Sequence, residues 1–223
     1  MFRRFLKKKL FENYTLNLSR DEIIRRSRIL VVDDEKPQVI QDMQASGFSV
    51  DYLSDITKDN VFKVDKNIYD LILLDFGGVG KGFGNDQGLS LLKHIKRVNP
   101  STIVIAYTSK SLSSEQSDFF RMSDSVLLKD AGIQESLEKI EETLRIAHSF
   151  ENTWNAILKI TEIKAGSEED YKLQHELISS YGNQKKMAKT SETISDYTKS
   201  VSKELTVSLI TKTFELLALA TIA

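Results

Sequence analysis

Residues 29–34 read Ile29-Leu30-Val31-Val32-Asp33-Asp34, an apolar run that ends in two carboxylates. Three later apolar runs end in a polar residue in the same way, at Asp75, Thr108 and Lys129. Short apolar runs are typical of buried parallel strands, and open parallel sheets bind ligands just beyond the carboxyl ends of their strands. The sequence therefore predicts one sheet edge that gathers three carboxylates, a hydroxyl and an ammonium.

Strand-like and helix-like segments alternate from residue 28 onward. The apolar periodicity predicts strands over 28–33, 48–52, 69–75, 102–107 and 125–128. Helices are expected between the strands, and their signals are weakest over about 57–65 and 114–122. Strands that alternate with helices form a parallel sheet with helices on both faces, so we expect an α/β fold.

The composition is that of an ordinary globular protein. The chain has 223 residues, of which 40% are hydrophobic and 28% are charged, and its formal net charge is -1. This balance gives no whole-chain argument for nucleic-acid binding. The chain has no cysteine, which excludes disulfides and thiolate metal sites and is compatible with a reducing compartment.

The start of the chain is strongly basic. Before Ile29 it holds nine basic residues and three acidic ones, a net charge of +6. Residues 1–11 alternate aromatic or aliphatic residues with basic ones, so an amphipathic helix on an anionic membrane surface is one hypothesis. A solvated tail, or packing on the following domain, is the alternative. The sequence from Ser19 to Glu22 is typical of a capping box and predicts a short helix over about 20–27.

The last helical segment looks unusually long. No glycine or proline occurs between Gly132 and Gly166, and apolar residues recur there at spacings of three and four. The spacing, which Glu151 interrupts, predicts an extended helix over 133–165 that leaves the sheet and packs against another helix. The alternative is one helix that packs on its own sheet and then turns. We therefore expect a homodimer through this helix. A further helix is expected over about 168–180, followed by an apolar segment near the end of the chain.

The predicted sheet edge has a defined chemistry. Three adjacent carboxylates, Asp33, Asp34 and Asp75, repel one another unless a cation relieves the repulsion, and Mg2+ suits carboxylates together with waters and phosphate oxygens. One carboxylate can then attack phosphorus to form an acyl phosphate. Asp75, on the middle strand, is the best-placed nucleophile. Lys129 would supply a positive charge, and the Thr108 hydroxyl would supply a hydrogen bond.

The chain resembles the receiver domain of bacterial two-component response regulators (CheY-like) over about residues 28–148. The resemblance depends on four segments in the right order, which are Ile29–Glu35, Asp70–Asp75, Ile105–Ser109 and Leu127–Lys129. It implies a flavodoxin-like, doubly wound, five-stranded parallel sheet in the order 2-1-3-4-5. It also implies that Asp75 accepts the phosphoryl group, that Asp33 and Asp34 hold Mg2+ beside it, and that Thr108 and Lys129 form the switch pair.

The resemblance implies a function and an organisation for the whole chain. We expect a basic, partly helical extension (1–27), a receiver domain (28–148) and an all-α output or dimerisation region (149–223) continuing from the last receiver helix. The implied role is a cytoplasmic, phosphorylation-dependent response regulator whose partner is a cognate histidine kinase or phosphotransfer protein. We expect no enzymatic activity other than self-phosphorylation from a donor and autodephosphorylation. No helix-turn-helix pattern is legible in residues 151–223, so we expect no DNA-binding output.

Several residues depart from the receiver pattern. Asp130 replaces the usual proline after Lys129, and Val126 replaces a common aromatic residue. The loop over 76–88 is longer than usual, and its glycines predict mobility. The departures at Val126 and Asp130 leave room for an alternative interpretation, a receiver-like scaffold that works without phosphorylation.

The histidines offer one weaker alternative. His175 is followed by Glu176 and Leu177 on a predicted helix, which raises the hypothesis of a phosphotransfer adaptor. The residues after Leu177 do not continue the phosphoacceptor box of histidine kinases, and a solvated surface histidine is the favoured interpretation. His94 and His148 are also expected at the surface.

Overall fold

The computed structural model describes residues 10–109, 117–198 and 203–222. The chain divides into two compact units. One unit, the sheet unit, is Leu18–Ala147. The other, the helical unit, combines His148–Ala223 with Met1–Asn17. Most of the segment proposed to contact membranes, residues 1–9, lies outside the described residues, as do residues 114–116 of the helix expected over 114–122.

The described elements have the following bounds. The strands are β1 (Tyr14–Thr15), β2 (Arg28–Val32), β3 (Ser49–Leu53), β4 (Leu71–Leu74), β5 (Ile103–Thr108), β6 (Ser125–Leu128) and β7 (Thr221–Ile222). The α-helices are α1 (Arg20–Arg26), α2 (Val39–Ala45), α3 (Phe62–Asp65), α4 (Gly88–Val98), α5 (Ser117–Met122), α6 (Ile133–Ala147), α7 (Phe150–Thr161), α8 (Glu168–Ser180), α9 (Gln184–Tyr197) and α10 (Lys203–Leu219). Among the described residues, no helix is both long and apolar enough to span a bilayer.

The sheet unit is built on a five-stranded parallel sheet. Its strands lie in the order β3-β2-β4-β5-β6. Ile29 of β2 aligns with Val50 of β3 on one side and with Leu71 of β4 on the other. Because β1 is not part of this sheet, its five strands can be renumbered 1 to 5 along the chain. Their order is then 2-1-3-4-5, which CheY and flavodoxin share. The predicted fold class and strand order are therefore confirmed.

Alternate residues of each strand enter two separate apolar cores, one on each face of the sheet. Ile29 and Val31 of β2 belong to the core covered by α1, α2 and α6. Leu30 and Val32 belong to the core covered by α3, α4 and α5. Because side chains alternate across a strand, a run that is apolar throughout fits only a sheet covered on both faces.

The first helix of the sheet unit begins with the predicted capping box. Ser19 Oγ accepts a hydrogen bond from the backbone N–H of Glu22, and the Glu22 carboxylate accepts one from the Ser19 N–H at 2.9 Å. Ile23 is fully buried in the core that α6 also covers. Arg20 forms an ion pair of 2.6 Å with Glu141 of α6. These contacts fix α1 on the sheet unit.

The single helix predicted over 133–165 is wrong, because the chain forms two helices there. Helix α6 ends at Ala147, and α7 begins at Phe150. Ser149 lies between them in an extended conformation and caps α7 by accepting a hydrogen bond from Asn152 N. An extended N-cap residue cannot belong to a continuous helix. The long helix on which the expected homodimer depended is therefore absent.

His148, which precedes this cap, was expected at the surface. Its exposed fraction is only 8%, so that expectation was also wrong.

The helical unit has its own apolar core, formed by α7 to α10 and by the start of the chain. The Phe11 ring stacks on the Phe150 ring with centroids 5.0 Å apart, and it lies 5.1 Å from Trp154. Strand β1 pairs antiparallel with β7, with Tyr14 opposite Ile222. Residues 10–17 are therefore an integral part of the helical unit.

A buried carboxylate organises the polar interior of the helical unit. Asp170 is 4% exposed and accepts hydrogen bonds from three groups, namely the Trp154 indole N–H (2.8 Å), the Gln174 amide (2.7 Å) and the Gly166 backbone N–H (2.7 Å). Gln174 in turn accepts a hydrogen bond from the Phe11 N–H at 3.4 Å. A buried charge is tolerated when its oxygens are satisfied in this way.

We expect Asp170→Ala to destabilise the helical unit strongly. The substitution leaves three donors without an acceptor, which should lower the free energy of unfolding by about 3 kcal/mol. Urea unfolding followed by the fluorescence of Trp154 measures the change. Glu169→Ala is the matched control, because Glu169 is its exposed neighbour on the same helix. Equal stabilities of the two variants would contradict this account of Asp170.

Candidate functional site

Two of the predicted carboxylates directly follow neighbouring strands. Asp33 comes after β2, and its N–H donates to the Leu53 carbonyl oxygen at 3.2 Å. Asp75 comes after β4, and its N–H donates to the Val32 carbonyl oxygen at 2.9 Å. The parallel hydrogen-bond ladder thus continues for one residue past each strand. It holds both side chains at the carboxyl edge of the sheet.

The three predicted carboxylates meet at this edge. One oxygen each of Asp33, Asp34 and Asp75 lies within 4.8 Å of the others. Asp33 is fully buried, Asp75 is partly buried and Asp34 is exposed. Asp33 Oδ1 accepts a hydrogen bond from the Glu35 N–H at 3.1 Å, and its buried Oδ2 faces the Lys129 ammonium. The three carboxylates are therefore close enough to one another to share a single cation.

Lys129 brings a positive charge into the cluster. Its backbone N–H donates to the Thr108 carbonyl oxygen at 2.8 Å, which fixes the residue beyond the end of β6. Its Nζ lies 2.7 Å from Asp33 Oδ2 and 3.5 Å from Asp75 Oδ1. Lys129 thus pairs with two carboxylates of a cluster of three, so the cluster stays net negative and favours a further cation.

The pKa values of Asp75 and Lys129 depend on burial and on the charges of neighbouring groups. Burial raises the pKa of Asp75, the Asp33 charge adds to this effect, and the Lys129 ammonium opposes it. Burial alone would lower the pKa of Lys129, but the Asp33 hydrogen bond and the Asp75 charge more than compensate, so its pKa is raised. Lys129 is therefore firmly charged, whereas ionised Asp75 is less stable in the folded pocket than in water.

Thr108 is the last residue of β5 and lies at the same edge. It is buried, with 4% of its surface exposed, and its backbone pairs with Leu128 of β6. The structure thus brings Asp33, Asp34, Asp75 and Lys129 into direct proximity. It places Thr108 on the strand that separates Asp75 from Lys129.

Tyr107 is a residue of this edge that the sequence pattern did not single out. Its ring is 4% exposed, and the centroid lies 5.5 Å from Lys129 Nζ. Burial, followed by the charge of Asp33, raises the pKa of Tyr107 to about 12. An aromatic ring beside an ammonium stabilises the positive charge. The only sequence signal was an aromatic residue within an otherwise aliphatic strand.

The two residues near Lys129 that depart from the receiver pattern, Val126 and Asp130, differ in their burial. Val126 is partly buried in the core covered by α3, α4 and α5. Asp130 is exposed. Position 126 therefore has no aromatic ring, and position 130 has no proline.

The glycine-rich loop over 76–88, predicted to be mobile, is packed at several points. Val79 is fully buried. The Phe76 ring lies 5.3 Å from Phe119, edge to face, and the Phe83 ring lies 4.8 Å from His94. The loop therefore has a fixed course beside Asp75, because its apolar side chains enter the same core as the helices.

His175 is part of the helical unit. It is half-buried on α8, and its Nδ1 lies 3.5 Å from Ser179 Oγ. This is the environment of an ordinary helix-surface residue.

No protein-family model matches this chain, and a search of curated proteins found no match. Solved structures resemble part of it. A CheY-like response regulator receiver domain protein from Methanospirillum hungatei JF-1 is 22% identical over 54% of this chain and 95% of its own, with a TM-score of 0.46. A two-component response regulator from Clostridium difficile is 22% identical over 53% and 96%, with a TM-score of 0.45. The receiver domain of NtrX from Brucella abortus is 23% identical over 52% and 98%, with a TM-score of 0.44.

The strand order and the acidic edge come from the chain's own structure and agree with the resemblance of its sequence. A parallel sheet of this order binds its ligands at the carboxyl ends of the strands. The carboxylate cluster lies at that edge. The sheet unit therefore has a flavodoxin-like, doubly wound α/β fold with the carboxylate cluster at the carboxyl edge of its sheet.

Proposed function

We propose that this protein is a phosphorylation-dependent response regulator in two-component signal transduction. In this proposal Asp75 accepts a phosphoryl group, and the helical unit delivers the signal without binding DNA. The observation that carries the proposal is the meeting of Asp33, Asp34, Asp75 and Lys129 at one edge of the sheet. Three carboxylates around one ammonium form a costly arrangement for a purely structural site, because the like charges repel one another.

The donor set fits Mg2+. The ion prefers carboxylate oxygens together with waters and phosphate oxygens, and the site offers three carboxylates with one oxygen each within 4.8 Å of the others. Asp33, Asp34 and Asp75 would hold the ion. When bound, Mg2+ would supply positive charge that offsets the carboxylate repulsion and the charge of the phosphoryl oxygens.

The side chains of the pocket divide the remaining work. A carboxylate oxygen of Asp75 forms a bond to phosphorus while the P–N bond of a phosphohistidine donor breaks and the donor imidazole leaves. Lys129 Nζ, 3.5 Å from Asp75 Oδ1, is close enough to stabilise the phosphoryl oxygens. Asp33 holds that ammonium in place through the ion pair of 2.7 Å. Thr108 would donate its hydroxyl to a phosphoryl oxygen.

The signal would start at β5 and β6. Thr108 and Lys129 would shift toward the phosphoryl group and bias a two-state surface beside them. Helix α6 begins shortly after Lys129 and leads along the chain to the helical unit. The partner upstream would be a cognate histidine kinase or phosphotransfer protein, and we place the protein in the cytoplasm.

Beryllofluoride, a mimic of the phosphoryl group, tests this function. We expect the full chain to give a bound fluoride signal in 19F NMR when beryllofluoride and Mg2+ are both present, and none when EDTA removes the metal. A receiver-like scaffold, for which Val126 and Asp130 leave room, need bind neither species. The absence of a Mg2+-dependent bound signal would contradict the proposal and support the scaffold.

A further inference from the structure

The backbone of Gly78 lies directly against the side chain of Asp34. A Cβ atom added to Gly78 would lie 2.1 Å from Asp34 Oδ2 and 2.4 Å from its Cγ. Both distances are far below van der Waals contact, so no side chain fits at position 78 unless Asp34 moves. The φ angle of Gly78 is +73°, a conformation that glycine adopts readily and other residues rarely adopt.

The loop that carries Gly78 is tied down on both sides of this contact. The Gly78 N–H donates to Gln87 Oε1 at 3.0 Å, and the Gly80 N–H donates to Asp55 Oδ1. Val79, between the two glycines, is fully buried in the core covered by α3, α4 and α5. The position of the Gly78 backbone is therefore set by the fold and not by Asp34.

Asp34 is the carboxylate of the cluster whose position depends most on the contact with Gly78. Asp33 and Asp75 are each paired with Lys129. Asp34 is exposed, and within the part of the chain that the structure describes no hydrogen bond or ion pair holds its carboxylate. An exposed side chain without partners samples several rotamers, and confining it costs conformational entropy when a cation binds.

We propose that Gly78 is a positioning residue for cation binding, because its bare backbone confines the Asp34 carboxylate beside Asp33 and Asp75. Gln87 and Asp55 keep the loop where this contact is made. The inference rests on the proposed function and deepens it, since it gives the glycine-rich loop a role in the Mg2+ affinity of the phosphorylation site. Groups that orient metal ligands typically change metal affinity by about 10-fold to 100-fold when they are altered.

Isothermal titration calorimetry of the full chain with Mg2+ tests this role. We expect Gly78→Ala to weaken Mg2+ binding by about 10-fold. Two other glycines of the loop provide controls. Gly82→Ala meets nothing within 4 Å, and Gly84→Ala carries a strained φ of +154° but meets only Ser90. Both controls should bind Mg2+ like the wild type, and thermal unfolding in EDTA shows which variants remain folded.

The possible outcomes separate the inference from the proposed function. If the wild type binds no Mg2+, the proposed function fails. If it binds Mg2+ and Gly78→Ala binds equally well, or if Gly84→Ala is weakened as much, only the role of Gly78 is overturned. Gln87→Ala provides a second route, because it keeps the glycine and removes the hydrogen bond to the Gly78 N–H. It should weaken Mg2+ binding several-fold, and an unchanged affinity would overturn the inference even if Gly78→Ala does not fold.

Discussion

Asp75→Asn is expected to abolish phosphoryl incorporation from acetyl phosphate and Mg2+. The amide cannot form the acyl phosphate, and no other carboxylate of the cluster lies at the end of the middle strand β4. Intact-protein mass spectrometry measures the incorporation. Asp130→Asn is the matched control, since Asp130 is an exposed carboxylate next to Lys129. It should be phosphorylated like the wild type.

Asp75→Asn is also expected not to destabilise the protein, so a loss of phosphorylation cannot be attributed to unfolding. The pKa of Asp75 is raised in the folded state, so above its usual pKa the ionised carboxylate opposes folding, and this opposition disappears as the pH falls and the group is protonated. A neutral asparagine removes the opposition at neutral pH. The metal-free variant should therefore be at least as stable as the wild type. Normal phosphorylation of Asp75→Asn, or its unfolding, would contradict this account.

Lys129→Met is expected to destabilise the metal-free protein by about 3 kcal/mol. Asp33 is fully buried and Asp75 is partly buried, and the substitution leaves both without the ammonium that pairs with them. Uncompensated buried charge is among the most costly defects in a folded protein. Because Mg2+ would bind the same carboxylates, we expect it to restore much of the lost stability.

Urea unfolding in EDTA and in Mg2+ measures both effects of Lys129→Met. Lys36→Met is the control, because Lys36 is an exposed cation close to the same edge, with its Nζ 5.8 Å from the Tyr52 ring. Its substitution should change the free energy of unfolding by less than about 1 kcal/mol. A loss for Lys129→Met as small as that of the control, or a loss that Mg2+ does not reduce, would contradict the ion-pair account.

The strand order and the edge positions of the site were predictable because they depend on local patterns and a general rule. A strand covered on both faces must be apolar throughout, as Leu71–Leu74 is, and a polar residue such as Asp75 then marks its end. Parallel strands place these ends on one side of the sheet. Four such ends, each with a group suited to phosphoryl chemistry, therefore defined a site before any distance was known.

The helix break at Ser149 was missed because the apolar periodicity, interrupted at Glu151, resumes beyond it. Trp154 and Leu158 keep the expected spacing, although they belong to a separate helix with its own core. The local signal was present in Ser149 and Asn152, which form the cap that begins α7. Periodicity describes which faces are apolar, but it does not show where the backbone leaves the helical conformation.

The contacts that the sequence could not predict join residues far apart in the chain. Phe11 packs against Phe150, and Gly78 packs against Asp34. No local pattern signals such a pair, because each partner alone is compatible with a loop or a surface position. The glycines of the loop over 76–88 indicated a flexible backbone. The burial of Val79 instead fixes the path of the loop backbone.

The most direct test of the central claim is to locate the phosphoryl group on the wild-type chain. After treatment with acetyl phosphate and Mg2+, borohydride reduction converts an aspartyl phosphate to homoserine, and peptide mass spectrometry identifies the modified residue. We predict a single modified position, Asp75, that requires Mg2+. A modification at another residue, His175 included, or none at all, would contradict the account.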